Sequence, residues 1–411
     1  MVQDHGPDAD SRLEGPRTII DHVRHEALDT PESGIVEVFN YGRNKQGLIP
    51  LWVGESDQAT PSFISAAAIR SIEAGETFYT YQRGIPELRE TIARYMTRIY
   101  GNGTTLAPDR FFVSVGGMHA LQIAMRIVGG PGDEFLVPTP AWPNFAGAII
   151  ALGAKVVESP MALFGQGPRS RWTIDLDGLA RAVTPKTKAI VVNSPSNPLG
   201  WTATTDELKG ILALARQNGL WIIADEIYGR FVFEGERAPS FHDIMDETDL
   251  ILFPQTLSKN WAMTGWRIGW LEAPPSLGQI IENLVQYSTS GVAVPMQRAA
   301  TVAIESGDAF IHQQVARSRS NRDLLCNALA ATGQVRFAVP EGAFYLFCAI
   351  DGETDTRQLA LRLVDEAGLG MAPGTAFGAG GEEYLRICFA RSPDQIREVA
   401  RRFTSWLQQR R

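Results

Sequence analysis

Thr256-Leu257-Ser258-Lys259, followed after Asn260 by Trp261-Ala262-Met263-Thr264-Gly265-Trp266-Arg267-Ile268-Gly269, sets a lysine beside two hydroxyls and eight positions ahead of an arginine. An amine in that setting can reach a bound carbonyl while the hydroxyls and a planar guanidinium hold a phosphate next to it. A surface lysine and arginine in a Gly- and Trp-rich loop would look the same. The reading therefore depends on what the rest of the chain builds around this stretch.

Around it the sequence alternates between short apolar runs and helical patterns. Residues 110–115 (Arg-Phe-Phe-Val-Ser-Val) read as a strand that stops at Gly116-Gly117, and residues 118–128 as a helix. Further apolar runs lie at 134–137, 155–157, 189–192, 221–224, 250–253 and 268–271, with helical patterns such as 206–217 between them. Seven short buried strands alternating with helices imply one mostly parallel sheet, the α/β class. Beyond residue 275 the pattern changes to long helices, 308–332 being the clearest, and then to strand-rich segments at 344–350 and 384–389. The expected organisation is a seven-stranded α/β domain over 61–295 and a smaller α+β domain over 296–411, with residues 1–60 joining the smaller one. Within that first segment, residues 1–16 read as loose, 17–29 as a helix and 40–46 as a turn-rich connector.

With 411 residues the chain exceeds what one hydrophobic core serves. Its net charge of −8 argues against nucleic acid as a partner, and Arg401, Arg402, Arg410 and Arg411 read as a solvated helix face. The three cysteines, Cys326, Cys348 and Cys388, read as buried thiols of a reducing compartment. The polar start Met1-Val2-Gln3-Asp4 has no secretory pattern. No apolar run approaches the ~20 residues that span a bilayer, so a cytoplasmic protein is expected.

Four features fall at expected strand ends, where open α/β sheets bind ligands. Gly116-Gly117-Met118 opens a helix directly after a strand, which suits a phosphate but also suits a tight turn. Asn193-Ser194-Pro195-Ser196-Asn197-Pro198-Leu199-Gly200 follows a buried strand. In Ala224-Asp225-Glu226-Ile227-Tyr228 a carboxylate emerges from an apolar strand, where it is costly to leave unpaired; it either faces a protonated ring nitrogen or caps the next helix. The fourth feature is the cluster of Thr256, Lys259 and Arg267.

In this order on this architecture, the set resembles the class I/II aminotransferases, pyridoxal-phosphate enzymes of fold type I. The resemblance covers roughly residues 30–405. It includes Tyr79-Thr80-Tyr81-Gln82-Arg83-Gly84-Ile85-Pro86-Glu87-Leu88-Arg89, which is similar to the family's Tyr-x-x-x-x-Gly-(Ile/Leu)-Pro-x-Leu-Arg segment. Bacterial aspartate- and aromatic-type members look nearest. The resemblance implies that Lys259 bonds the cofactor and moves protons, and that Asp225 faces the ring nitrogen. It implies that Thr256, Arg267 and the amides of Gly117 and Met118 hold the phosphate, with Tyr79 reaching it from the other subunit of a homodimer. Trp142 would stack on the ring, with a core tryptophan as the alternative. Asn197 and Tyr228 would bond the phenolic oxygen. Arg386, an arginine inside an apolar strand, would take the substrate α-carboxylate as a bidentate fork, assisted by Gly54, Trp142 and Asn197. The implied activity is ping-pong transfer of an amino group between an L-amino acid and a 2-oxo acid, with a C–S β-lyase using the same cofactor as the alternative. A non-catalytic regulator module is a weaker alternative, because the residues ahead of Gly54 are not basic.

Departures bear on the substrate. Leu199 stands where the family's Asn-Pro-Thr-Gly element has threonine, and Ser56 where many members have proline. Met118 and His119 stand where aspartate-using members have a lysine and then a glutamine. No arginine lies between Asn283 and Pro295, where another aspartate-using branch carries one. With Met118, Tyr287 and Phe39-Asn40-Tyr41, this points to a neutral or apolar amino acid side chain. Arg43 and Lys45 are the residues that would overturn this, and His119 reads as helix-face packing.

Overall fold

A computed structural model describes residues 18–165, 167 and 170–410. The expectation for residues 1–16 lies outside that range. All seven expected strands are present: β1 (Phe111–Ser114), β2 (Glu134–Thr139), β3 (Lys155–Pro160), β4 (Thr187–Asn193), β5 (Trp221–Asp225), β6 (Ile251–Thr256) and β7 (Gly269–Glu272). They form one sheet in the order β1-β7-β6-β5-β4-β2-β3. Only β7 runs against its neighbours.

Parallel central strands must be covered on both faces, which is why these runs are apolar throughout and do not alternate. In β5, Ile222 and Ala224 enter one core, while Ile223 enters the core on the opposite face. The first core also takes Leu136, Ile190 and Val192, and the second takes Phe135, Val137 and Val191. A third core forms where the helix Val294–Ser306 packs on Ser62–Glu73 and Pro86–Tyr100.

An antiparallel four-stranded sheet follows in the order Val335–Phe337, Tyr345–Ile350, Tyr384–Cys388, Ala372–Pro373. The strand Ile49–Pro50 pairs in parallel with Leu369–Gly370. The helix Asp308–Ala330 matches its expectation closely.

Two N-terminal expectations need correction. The helix over 17–29 is two single turns, Ile19–His22 and His25–Leu28, none of whose residues is buried. A helix this short has no apolar face to dock and too few hydrogen bonds to repay nucleation. The turn-rich connector at 40–46 is in part helical, because the helix Gly34–Gly42 runs through Asn40 and Tyr41, with Val38 buried. Among the described residues no helix is long and apolar enough to cross a membrane. The three cysteines are free and buried.

Ile223 has no exposed surface, so Ile223→Ala should cost about 2–5 kcal/mol of stability through the cavity it leaves. Chemical denaturation should give a lower midpoint at unchanged slope; an unchanged midpoint would mean that the two-faced packing of β5 does not hold the sheet.

Candidate active site

Because β4, β5 and β6 are parallel, their carboxyl ends bring Asn193, Asp225 and Thr256 to one edge of the sheet. The reversed β7 starts at that same edge, so Arg267 arrives there from the opposite chain direction. A cavity of about 410 Å³ opens at this edge. Its walls include Gly54, Gly117, Met118, Trp142, Asn197, Asp225, Tyr228, Thr256, Lys259, Arg267 and Arg386, every expected site residue except Tyr79. Tyr79 is 94% exposed and, with Phe78 and Tyr81, lines a separate surface hollow.

One end of the cavity is a cradle for an anion. The helix Gly116–Val128 starts there, with free amides in its first turn and the positive end of its dipole. Gly116 has a φ of +72°, and a Cβ on it would stand 2.6 Å from Arg267 Nη2, so only glycine leaves the guanidinium its place. Arg267 itself adopts a left-handed backbone, and its Nη1 donates to the Thr264 carbonyl at 2.7 Å. Thr256 Oγ1 donates to Ser258 Oγ at 2.8 Å and accepts from the Ser258 amide at 3.1 Å, which aligns both hydroxyls at the cradle.

Lys259 Nζ donates to the Gly54 carbonyl at 2.6 Å. Burial pulls this amine down to about 8, against the opposing pull of Cys388 and Glu55. Asp225 is 4% exposed, and its carboxylate has one long hydrogen bond, from the Ile227 amide at 3.4 Å. Burial raises it to about 7, with the Ile227 amide and Lys259 opposing. Such a carboxylate fits a bound partner that brings a positive charge or a proton.

Arg386 is 2% exposed. Its Nη1 donates to Asn197 Oδ1 at 3.0 Å and its Nη2 to the Trp52 carbonyl, and its Nε has no partner. The rings of Tyr345 and Phe377 lie 4.8 and 5.0 Å from the guanidinium carbon. Among the described residues no carboxylate pairs with Arg267 or Arg386.

Sequence reasoning missed Tyr345. Its hydroxyl lies 2.7 Å from that of Tyr228, and a Cβ on Gly54 would stand 2.1 Å from the same oxygen. It also missed Ile35 and Val36, which line the cavity in place of the expected Phe39-Asn40-Tyr41. Phe39 instead meets the Trp52 ring edge-on at 5.8 Å, and the Tyr41 hydroxyl donates to Asp365. The helix turn that buries Val38 carries these residues away from the cavity. Tyr287, 89% exposed, does not line it either. Lys45 pairs with Asp365 and Arg43 is exposed, so neither brings charge to the cavity. His119 packs as expected: its Nδ1 accepts from the Val115 amide at 3.2 Å and its Nε2 meets Ser288 Oγ at 2.9 Å.

Residues 46–403 match the sequence pattern of the family described as aminotransferase class I and II. A probable N-acetyl-LL-diaminopimelate aminotransferase of Bacillus subtilis is 32% identical over 91% of this chain and 92% of its own. An aspartate/prephenate aminotransferase of Thermus thermophilus is 33% identical over 87% of this chain and 90% of its own. Among solved structures, an aminotransferase from Mycobacterium tuberculosis superposes with a TM-score of 0.85 at 29% identity, over 94% of this chain and 99% of that one. The anion cradle, the buried lysine and the carboxylate without an ion pair agree with these likenesses, and the chain belongs to the class I and II aminotransferases, enzymes that use pyridoxal phosphate.

Proposed function

We propose that this aminotransferase works by a ping-pong mechanism on an L-amino acid with a neutral or apolar side chain and a 2-oxo acid, with Lys259 as its proton carrier. The observation that carries the reading is the set of charges left without ion pairs around one cavity, Asp225, Arg267 and Arg386 among them. Pyridoxal phosphate, when bound, supplies a carbonyl for the amino group and a protonated ring that draws electrons from the substrate Cα. The amides of Gly117 and Met118, with Thr256 and Arg267, would hold its phosphate. Asp225 would hold its ring nitrogen, Trp142 its face, and Asn197 and Tyr228 its phenolic oxygen.

Lys259 then has two states to use. Near neutral pH an amine pulled down to about 8 is neutral in a minor fraction, far larger than for an ordinary lysine, and in that form it would accept the Cα proton and return it to the neighbouring carbon. Arg386 is held by Asn197 and the Trp52 carbonyl, and the N–H groups left on its two terminal nitrogens would take the substrate α-carboxylate, with the Gly54 amide assisting. Tyr345 fixes the Tyr228 hydroxyl. Ile35, Val36, Met118 and Leu121 line the remaining wall. The cations of the wall (Lys259, Arg267 and Arg386) all have other roles, so among the described residues of this chain no further cation lines the cavity to meet a distal carboxylate.

The exposed rings of Phe78, Tyr79, Tyr81 and Tyr287 support a homodimer in which Tyr79 reaches the other subunit's phosphate. The free buried thiols support a cytoplasmic location. The pairing of Ile49–Pro50 with Leu369–Gly370 supports grouping the N-terminal segment with residues 296–411 as the smaller domain, beside a cofactor domain over 61–295.

Lys259→Ala should remain folded and lose transamination. A variant with an undiminished rate would remove Lys259 from the mechanism. Asp225→Asn gives a second test, through stability. Its folded value of about 7 lies above the usual 3.8, so the native state without cofactor holds this proton more tightly than the unfolded chain. Apoprotein stability therefore falls as pH rises through this interval. Between about pH 5 and about pH 8 the Asp225→Asn apoprotein should lose less melting temperature than wild type, while binding pyridoxal phosphate more weakly. Parallel pH profiles would contradict the burial of Asp225 without an ion pair.

A further inference from the structure

Asp225 and Glu226 are adjacent carboxylates with different surroundings. Asp225 lines the cavity; Glu226, 6% exposed, does not. Glu226 Oε2 accepts from Ser240 Oγ at 2.6 Å, and its Oε1 from the Phe241 amide at 3.0 Å. Ser240 Oγ lies 2.9 Å from His242 Nδ1, and His242 Nε2 lies 3.0 Å from Glu272 Oε2. Arg110 Nε donates to Glu272 Oε1 at 3.3 Å. The His242 ring stacks on Phe253 with centroids 4.0 Å apart, and Tyr100 lies 5.1 Å away on an inclined ring. Glu272 has no exposed surface. None of these side chains lines the cavity.

Enclosing this many charged groups is unfavourable unless each is satisfied, and apolar residues of like volume would pack as well. The charges balance when His242 is protonated, Glu226 and Glu272 against His242 and Arg110. Burial opposes that proton, but Glu272 and Glu226 outweigh it and hold His242 above its usual range. The string also does something that packing alone would not. The Asp225 carboxylate has only the long bond from Ile227, so its direction is set by the main chain that follows it. Glu226 fastens that main chain to residues 240–241 by its two side-chain bonds. Its carbonyl accepts from the Gly229 amide at 2.8 Å, and the Gly229 carbonyl accepts from the Ala238 amide at 2.8 Å.

The geometry points to Glu226 as a positioning residue for Asp225, supported by Ser240, His242, Glu272 and Arg110. The inference rests on the reading of Asp225 as the partner of the cofactor ring nitrogen. A residue that acts only by aiming Asp225 has nothing left to aim once that carboxylate is gone.

The test is the dissociation constant of pyridoxal phosphate from the apoprotein, followed by quenching of protein fluorescence, for Asp225→Asn, Glu226→Ala and the double variant. Asp225→Asn and Glu226→Ala should each weaken binding by about tenfold or more, the order seen when a residue supporting a bound group is lost. The double variant should bind no more weakly than Asp225→Asn alone, and Glu226→Gln should recover most of the affinity. Glu226→Ala with wild-type affinity overturns the inference, as does a double variant whose loss is the product of the two single losses. If Glu226→Ala does not fold, Ser240→Ala, which removes the hydroxyl between Glu226 and His242, should weaken binding in the same way, and unchanged affinity there also overturns it. Unchanged affinity in Asp225→Asn overturns both this inference and the functional reading beneath it, whereas failure at Glu226 with Asp225 weakened overturns this one alone.

Discussion

Asp225 is a carboxylate at the end of a strand buried on both faces, and no side chain of the described chain neutralises it. Leaving such a group unpaired is among the more expensive arrangements a fold can hold. The sheet edge is organised around it. Parallel strands deliver Asn193 and Thr256 to the same level, and the reversed β7 delivers Arg267. The cost falls on the apoprotein, and a ligand that brings a proton or a positive charge to this carboxylate would relieve it.

The same logic extends to the other charges. Arg386 is held by Asn197 and the Trp52 carbonyl; Arg267 is held by the Thr264 carbonyl; Lys259 rests on the Gly54 carbonyl. Each cation is oriented by a neutral oxygen, so its charge stays available to an anionic ligand. The loop 53–60 joins these parts: Gly54 meets Lys259, Glu55 accepts from Thr264, and Thr60 donates to Ala262 and accepts from Trp266. The anion cradle and the amine are thus braced by one segment, and Trp52 just ahead of it holds Arg386.

The fold was legible because its signal is local. Seven apolar runs with turn residues between them could hardly be anything but a covered sheet; Lys259, Asp225 and Asn197 sit in short motifs at strand ends, and Arg386 stands out inside an apolar strand. Tyr345 left no such signal: it reaches the cavity from a strand 117 residues beyond Tyr228. Ile35 and Val36 were missed because the turn of one helix, not its composition, decides which side chains face the cavity. The string from Glu226 to Arg110 joins a strand end, a loop and the far end of β7, and no spacing in the chain announces it.

The most direct test of the account is the half-reaction. Leucine or phenylalanine is added to the enzyme loaded with pyridoxal phosphate, with no oxo acid present, and oxo acid and ammonia are both measured. Transamination predicts about one equivalent of 2-oxo acid per subunit, then arrest until a second 2-oxo acid is supplied, with aspartate the poorer donor. Ammonia that keeps accumulating without any acceptor, or aspartate clearly preferred over the apolar donors, would contradict it.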